Sequence, residues 1–390
     1  MKTDQIFENT EIAFNLKSDS ELERAYFLFK MISIEPLVRI GTAATNFAIK
    51  AHLPIEGLIR STVFDHFCGG VNEDDCLGII EKMYEKGVSS VLDYSVEGKE
   101  TEEEFDFAVE KTLKIIDFVK NKKSIPIAVF KPTGFGRFSL YKKIVLEEEL
   151  TKKEQGEWER VVNRFDKVCK SGYDNNIAVL IDAEESWIQD AVDDLVTKMM
   201  EKYNTKKAIV YNTLQMYRHD RLEFLKHQHN NAKVKGYFLG FKLVRGAYME
   251  KENDRAYKKG YDSPICKDKP ATDLNFNEAV KYMLDHIIDI SLFAGTHNED
   301  SSYLIIDLMK IKGIKKDDKH VWFGQLYGMS DHISFNLAYK GYNVAKYIPF
   351  GPVKDVMPYL IRRAEENTSV AGQTGRELNL IKKEKSRRKF

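Results

Sequence analysis

Cysteine is scarce in this chain, and the few present are scattered. Cys68, Cys76, Cys169 and Cys266 form no C-x-x-C pair and no metal-ligand spacing. That argues against a disulfide framework or a thiolate metal centre and for reduced thiols in a cytosolic-type compartment. Long apolar runs are missing too: none approaches the roughly 18 residues that span a bilayer. Charge of one sign is not in excess, because 60 Lys and Arg face 60 Asp and Glu. Nothing in that balance attracts nucleic acid. No G-x-G-x-x-G turn occurs, which weighs against a dinucleotide-binding open sheet. The first 26 residues mix acids with bases, unlike a signal or transit peptide. The expected location is cytoplasmic, either free or peripheral at the inner face of a membrane.

What is present is a chain of 390 residues with 43% hydrophobic content, enough for one large domain and an appendage. Residues 1–87 read as helical. Ser18 to Glu21 offers cap chemistry before an apolar run to Ile34, a second run covers Pro36 to Ile49, and a third, from Asp75 to Tyr84, stops at Gly87. From about residue 88 the texture changes. Eight short apolar runs alternate with long amphipathic ones: Val91–Tyr94, Ile125–Phe130, Ile177–Ile181, Ala208–Tyr211, Phe238–Val244, Ile290–Ala294, His320–Phe323 and Val344–Ile348. Continuous apolar runs separated by helices mark strands buried on both faces. Eight such units predict an α/β fold, a distorted (βα)8 barrel over residues 88–370. A doubly wound open sheet is the alternative. Between the second and third strands lies a charged stretch, 134–175, read as surface helix over Glu147–Lys153 and Glu157–Arg164. Residues 371–390 read as a basic tail.

In a barrel the chemistry gathers where the strands end. The predicted exits are polar: Asp93 to Glu97, Lys131, Asp182 to Glu185, Asn212 to Gln215, Lys242 to Gly246, Thr296 to Glu299, Gln325, and Tyr347 on the eighth strand. Any one of these serves equally well as a cap or loop residue. Together they make a ring suited to a polar, anionic ligand. A second pattern lies near the C-terminus. Tyr359, Arg362, Arg363 and Glu366 recur at i, i+3, i+4 and i+7, one stripe of a helix. Adjacent guanidiniums fit one small carboxylate, since each donates paired hydrogen bonds. A solvated helix face with an internal ion pair gives the same spacing. Pro358 either kinks that helix or sits in its first turn. His227 and His229, in HQHNN, are read as loop residues without partners, and no metal site is expected.

The ordered set LDYSVEG, KPTG, LIDAEE, NTLQMY, KLVRGAY, THNE, QLYGMSDH and YIPFGPVKDVMPYLIRRAEEN, over residues 89 to about 370, resembles proline dehydrogenase. The likeness is closer to the monofunctional enzymes than to the bifunctional proline-utilisation proteins. It implies oxidation of L-proline to Δ1-pyrroline-5-carboxylate, the first step of proline catabolism. It also implies non-covalent FAD and a membrane quinone as electron acceptor. By the same resemblance Arg362 and Arg363 grip the substrate carboxylate with Lys131, while Tyr347, Tyr359, Leu326 and Asp182 surround the ring. Glu97 and Arg362 would form a gate. The flavin positions are Asn212, Gln215, Lys242, Val244, Gly246, Thr296 and His297. Lys242 and Asn212 stand where the bifunctional enzymes carry Arg and Gln, which leaves their flavin contacts open. Tyr347 points to proline itself, because relatives acting on hydroxyproline tend to have a small residue there.

No side chain accepts a hydride, so this oxidation needs a redox cofactor. Two other classes compete: a lyase or aldolase using Lys131 or Lys242 as a Schiff-base amine, and a silent barrel that only binds ligand.

Overall fold

Strands form where Val, Ile, Leu and Phe run together, and the chain joins them in parallel. The computed structural model describes residues 5–51, 56–95, 98, 100–369 and 371–389, without the side chains at 35, 39, 44, 46–50, 58, 61, 364–369 and 371–374. Eight strands, β1 (Val88–Tyr94), β2 (Ile127–Phe130), β3 (Ala178–Ile181), β4 (Val210–Gln215), β5 (Leu239–Val244), β6 (Ile290–Gly295), β7 (Val321–Leu326) and β8 (Val344–Phe350), follow one another round a closed barrel. Every predicted strand is present. Several run further than their apolar cores. β4 continues through Asn212–Gln215, β7 through Gln325 and Leu326, and β8 to Phe350. Polar residues extend β4 because their side chains find partners inside the fold: Asn212 Nδ2 donates to Asp193 and Thr213 Oγ1 to the Ile181 carbonyl.

The chain divides into two compact units, residues 98–323, and 1–97 with 324–390. In the first, β2 to β6 are parallel neighbours. Register pairs Thr213 with Lys242 and Lys242 with Phe293, so these three share one face of the sheet. Alternation puts Asn212, Phe241 and Leu292 on the other. The helix Glu102–Val119 starts at a capping box of Thr101 and Glu104, and the helix Lys152–Asn175 at one of Thr151 and Glu154. The stretch 134–175 departs from expectation. Its helices are Phe138–Val145 and Lys152–Asn175, while Glu147 turns through a left-handed φ of 50°. Glu157–Arg164 is helical as expected and exposes Glu159, Arg160 and Asn163, but its other face is buried. Arg164 is buried on Asp106 and Glu102, and Glu157 pairs with Arg137 at 2.6 Å.

In the other unit the predicted N-terminal helices appear as Asp19–Ile32, Glu35–Lys50 and Glu73–Tyr84. The first carries the capping box expected from Ser18 and Glu21. The last ends at Gly87, whose φ of +79° favours glycine. Among the described residues no strand precedes β1, which pairs with β8 from Val88–Val344 to Tyr94–Phe350. A buried Lys346 on β8 donates to the carbonyls of Leu326 and Met329 and pairs with Asp331 at 2.8 Å, and Lys17 pairs with Asp331 at 3.2 Å.

The basic segment at the C-terminus is a helix, Ala371–Arg388. Leu380 and Ile381 are buried with Leu22, Ala25 and Phe29 of the helix Asp19–Ile32. Five of its cations are engaged: Lys383 and Arg376 with Glu8, Lys385 with Glu23, Arg387 and Arg388 with Glu384. A lysine-rich sequence reads as a tail when its apolar residues are few, but two well-placed ones suffice to dock it. We expect Leu380→Ala to destabilise the protein by about 2–5 kcal/mol in chemical denaturation. A free tail would leave the midpoint unchanged.

Candidate functional site

At the strand exits of residues 98–323, one carboxylate holds two amines. Asp182 follows β3, and its backbone N–H donates to Phe130 O of β2 at 3.0 Å. Lys131, leaving β2, donates to Asp182 Oδ2 at 3.2 Å, and Lys242, on β5, donates to Oδ1. Burial alone would raise the Asp182 pKa; Lys242 and Lys131 reverse this and hold it below the ordinary value. One anion against two cations leaves positive charge at these exits. Removing one partner of such a buried pair typically costs about 3–5 kcal/mol.

Two residues along, Glu184 has the opposite fate. It is 4% exposed and accepts hydrogen bonds from Thr133 Oγ1 (2.8 Å), Thr133 N (3.3 Å) and Tyr248 Oη (3.2 Å). Burial, opposed by Lys131, pushes its pKa up to about 7. The sequence marks Glu184 only as one of several acids in LIDAEE; its burial was the missing signal.

The other exit residues divide. Gln215 donates to Glu184 O at 2.7 Å and accepts from Ala247 N at 3.3 Å, bridging two exit loops. Arg245 binds Asp273 (2.7 Å), Thr296 Oγ1 (2.9 Å) and Ser301 Oγ (3.0 Å), which fixes Thr296 beside the half-buried His297. Val244 is half-buried at the end of β5. Gly246 has φ +135°, and a Cβ there would lie 2.5 Å from the Tyr217 ring. Only glycine fits, and its backbone is left bare of side chain. Asn212 does not join this group. It faces the helix layer, bonded to Asp193 of the helix Ser186–Tyr203, which Arg221 also binds at 2.7 Å. The strand's two-residue alternation puts it on the opposite side from Gln215.

In the unit formed by 1–97 and 324–390, the arginine helix is Met357–Ser369. A turn, Asp355 N to Pro352 O at 2.9 Å, precedes it, so Pro358 sits in the first turn and makes no kink. Arg362 and Arg363 are half-buried. Tyr359 is 6% exposed and packs with Val356, Met357 and Leu360 in an apolar cluster against which Leu326 also rests. The Arg363 guanidinium lies 5.4 Å from the Tyr359 ring centroid. Tyr347 is buried on β8, its carbonyl accepting from Tyr327 N at 2.8 Å. Glu97, the gate residue, lies outside the described residues, as does the Glu366 side chain.

The chain matches known proteins along most of its length. The family model described as proline dehydrogenase matches residues 76–376. The chain belongs to the proline dehydrogenase family. Among its relatives, the carbapenem antibiotics biosynthesis protein CarD of Pectobacterium carotovorum subsp. carotovorum is 35% identical, over 85% of this chain and 86% of that protein. The mitochondrial proline dehydrogenase 1 of Arabidopsis thaliana is 31% identical, over 95% and 83% respectively. In fold the chain is similar to proline utilization A from Bdellovibrio bacteriovorus inactivated by N-propargylglycine, with a TM-score of 0.68 at 19% identity, covering 93% of this chain and 36% of that one.

The contrast between Asp182 and Glu184 gives this proline dehydrogenase family member a pH signature. An unfolded glutamate ionises near pH 4.5, while native Glu184 stays protonated to about 7. Between those values the unfolded state binds fewer protons, so this group's contribution to stability falls as pH rises and levels off above pH 7. Glu184→Gln removes the term. Denaturation midpoints from pH 4.5 to 8 should show the variant gaining on the wild type by up to about 3 kcal/mol. A constant offset across that range would contradict the protonated assignment.

Proposed function

We propose that this protein is an FAD-dependent L-proline dehydrogenase, forming Δ1-pyrroline-5-carboxylate in the first step of proline catabolism and passing electrons to a membrane quinone. Family membership carries the reading. The exit chemistry supports it: net positive charge at Asp182, Lys131 and Lys242, with a bare backbone at Gly246. These features fit a polar, anionic flavin held without a covalent bond. The proposed flavin residues are Gln215, Lys242, Val244, Gly246, Thr296 and His297, with Asn212 left out. FAD would supply the hydride acceptor that no side chain provides.

The chain's own residues bind and orient. We assign Arg362 and Arg363, with Lys131, to the substrate carboxylate, because twin planar forks hold a carboxylate in one orientation. Clamping a small rigid ring at one end fixes where its far carbon lies. Tyr347, Tyr359 and Leu326 would shape the ring's surroundings, and Asp182 orients Lys131. Glu97 with Arg362 is the proposed gate. The proposed division of the chain is a helical region over 1–87, a barrel over 88–370 and a C-terminal segment over 371–390. Among the described residues no helix is long and apolar enough to cross a membrane. Quinone access would come from peripheral contact, from the cytoplasmic side. The Schiff-base alternative loses ground: both candidate amines are engaged by Asp182 rather than left open to a carbonyl.

An arginine–carboxylate hydrogen bond contributes about 1.5–3 kcal/mol, roughly 10- to 150-fold in kcat/KM. Arg363→Met should raise KM for proline by that order and leave the flavin absorbance of the purified protein intact. Wild-type kinetics in the variant would remove the helix Met357–Ser369 from substrate binding. Tyr347→Ser should shift the kcat/KM ratio toward 4-hydroxyproline over proline. An unchanged ratio would refute the steric role of Tyr347. The decisive observation is bleaching of the visible flavin spectrum by L-proline without oxygen; a colourless protein, or one that binds proline without reduction, would overturn the assignment.

A further inference from the structure

Away from the strand exits, at the start of β6, two imidazoles and a carboxylate converge. His229 lies on the helix Arg221–Lys235, not in a loop as the sequence suggested. His286 is the C-cap of the helix Lys269–Asp285, and Asp289 stands in the turn leading into β6. One ligand atom from each falls within 4.8 Å of the other two. All three belong to the unit 98–323.

We propose that His229, His286 and Asp289 form a binding site for a borderline divalent cation of the zinc class, with Tyr282 as the residue that orients His229.

The donor set is right for such an ion. Zinc takes neutral imidazole nitrogen and carboxylate oxygen at about 2.0–2.2 Å, which places tetrahedral ligands about 3.3 Å apart. His229 Nε2 and Asp289 Oδ2 are already 3.1 Å apart. The remaining separations are at most 4.8 Å, and side-chain rotation would have to shorten them.

The backbone under two of the ligands is set. Asp289 N and Ile290 N both donate to His286 O, at 2.9 and 3.0 Å, and Asp289 O accepts from Leu239 N of β5 at 2.9 Å. The His286-x-x-Asp289 turn is therefore anchored to the barrel, and little ordering is left for the ion to impose. The His286 imidazole packs at tilted angles against His229 and Tyr282, 52° and 60° between ring planes, each at a centroid distance of 4.7 Å. Among the described residues it makes no side-chain hydrogen bond. A nitrogen is thus available beside the His229–Asp289 pair.

Tyr282 supplies the outer contact that ligating histidines commonly have. Its hydroxyl lies 2.8 Å from His229 Nδ1. When Nδ1–H donates to that oxygen, the Nε2 lone pair faces the Asp289 carboxylate. Without an ion the other tautomer satisfies both contacts, Nε2–H donating to Asp289 and Nδ1 accepting from Tyr282, so an ion takes the place of that proton at Nε2. His229 is 2% exposed, which shields the site, whereas the Asp289 side chain is 39% exposed and gives an ion its way in and a solvent molecule the fourth position.

The site joins two helices to the start of β6, on the opposite end of the strands from Lys131, Asp182 and Lys242. An ion there ties elements together; it takes no part in chemistry at the exits. Its binding is independent of the substrate and cofactor assignments above.

The test uses tag-free full-length protein, with its cofactor, freed of metals by EDTA and dialysis. Titration with ZnCl2 in a calorimeter should show one saturable equivalent per chain. Thermal unfolding should move to higher temperature as zinc is added, since an ion bound only by the native state stabilises it. His286→Ala and Asp289→Asn, at half-buried positions where folding survives, should each weaken binding at least about tenfold and abolish the thermal shift. Tyr282→Phe should keep the stoichiometry and weaken binding about 10- to 100-fold, the range for lost outer contacts. Absence of saturable binding, or equal affinity in the His286 and Asp289 variants, would leave His229 and Asp289 as an ordinary hydrogen-bonded pair and overturn the proposal.

Discussion

The contact on which the exit chemistry depends is the buried carboxylate of Asp182 between two lysines. Taking an ionised carboxylate out of water costs several kcal/mol even after relaxation. Lys131 and Lys242 offset that by bonding both of its oxygens. Three strands are thereby tied at their ends, because Lys131 leaves β2, Asp182 leaves β3 and Lys242 belongs to β5. The same three charges set the sign of the local field. With one anion and two cations, the arrangement is complete as a structural device and still favours an anionic guest.

A similar arithmetic operates in the unit formed by 1–97 and 324–390. Lys346 on β8 is almost wholly buried, and Asp331 answers it together with Lys17. Burial would raise the Asp331 pKa, and Lys346 and Lys17 drive it far below the usual range. Here the neighbouring carbonyls of Leu326 and Met329 share the ammonium. A lysine so consumed by protein acceptors is structural. Lys131, by contrast, meets its carboxylate at 3.2 Å and keeps 21% of its side chain exposed. Two lysine–aspartate motifs in one chain thus differ in how deeply the donor is enclosed.

Sequence carried the architecture well because its signals are collective. Eight apolar runs at regular spacing leave few folds, and each run became a strand. Capping boxes at Ser18 and Glu21 are local hydrogen-bond patterns, legible in any context. What failed were readings that depend on a partner far away in sequence. Asn212 looked like an exit residue, yet its direction is decided by Asp193 and Arg221. His229 looked partnerless in a loop, yet Tyr282 and Asp289, more than fifty positions on, complete it. The C-terminal segment looked like a solvated tail because lysine and arginine dominate its composition, although Leu380 and Ile381 dock it on the helix Asp19–Ile32. Pro358 could be placed only once the turn at Pro352–Asp355 was visible.

The two acids of LIDAEE show how a short motif acquires distinct chemistry. Asp182 and Glu184 are two residues apart, the first half-buried and the second buried. Asp182 meets ammonium donors, so it stays ionised; Glu184 meets hydroxyl and amide donors, which are neutral, and burial prevails. Neutral donors stabilise a carboxylate less than cations do. Lys131 acts on both, but it bonds Asp182 directly and reaches Glu184 only through space. Lys242 and Lys131 together keep Asp182 an anion, whereas Lys131 alone only moderates the rise that burial imposes on Glu184. An anion that drew this ammonium away would weaken its hold on Asp182 and on Glu184 together. Binding of such an anion and protonation of Glu184 would then be linked, each favouring the other.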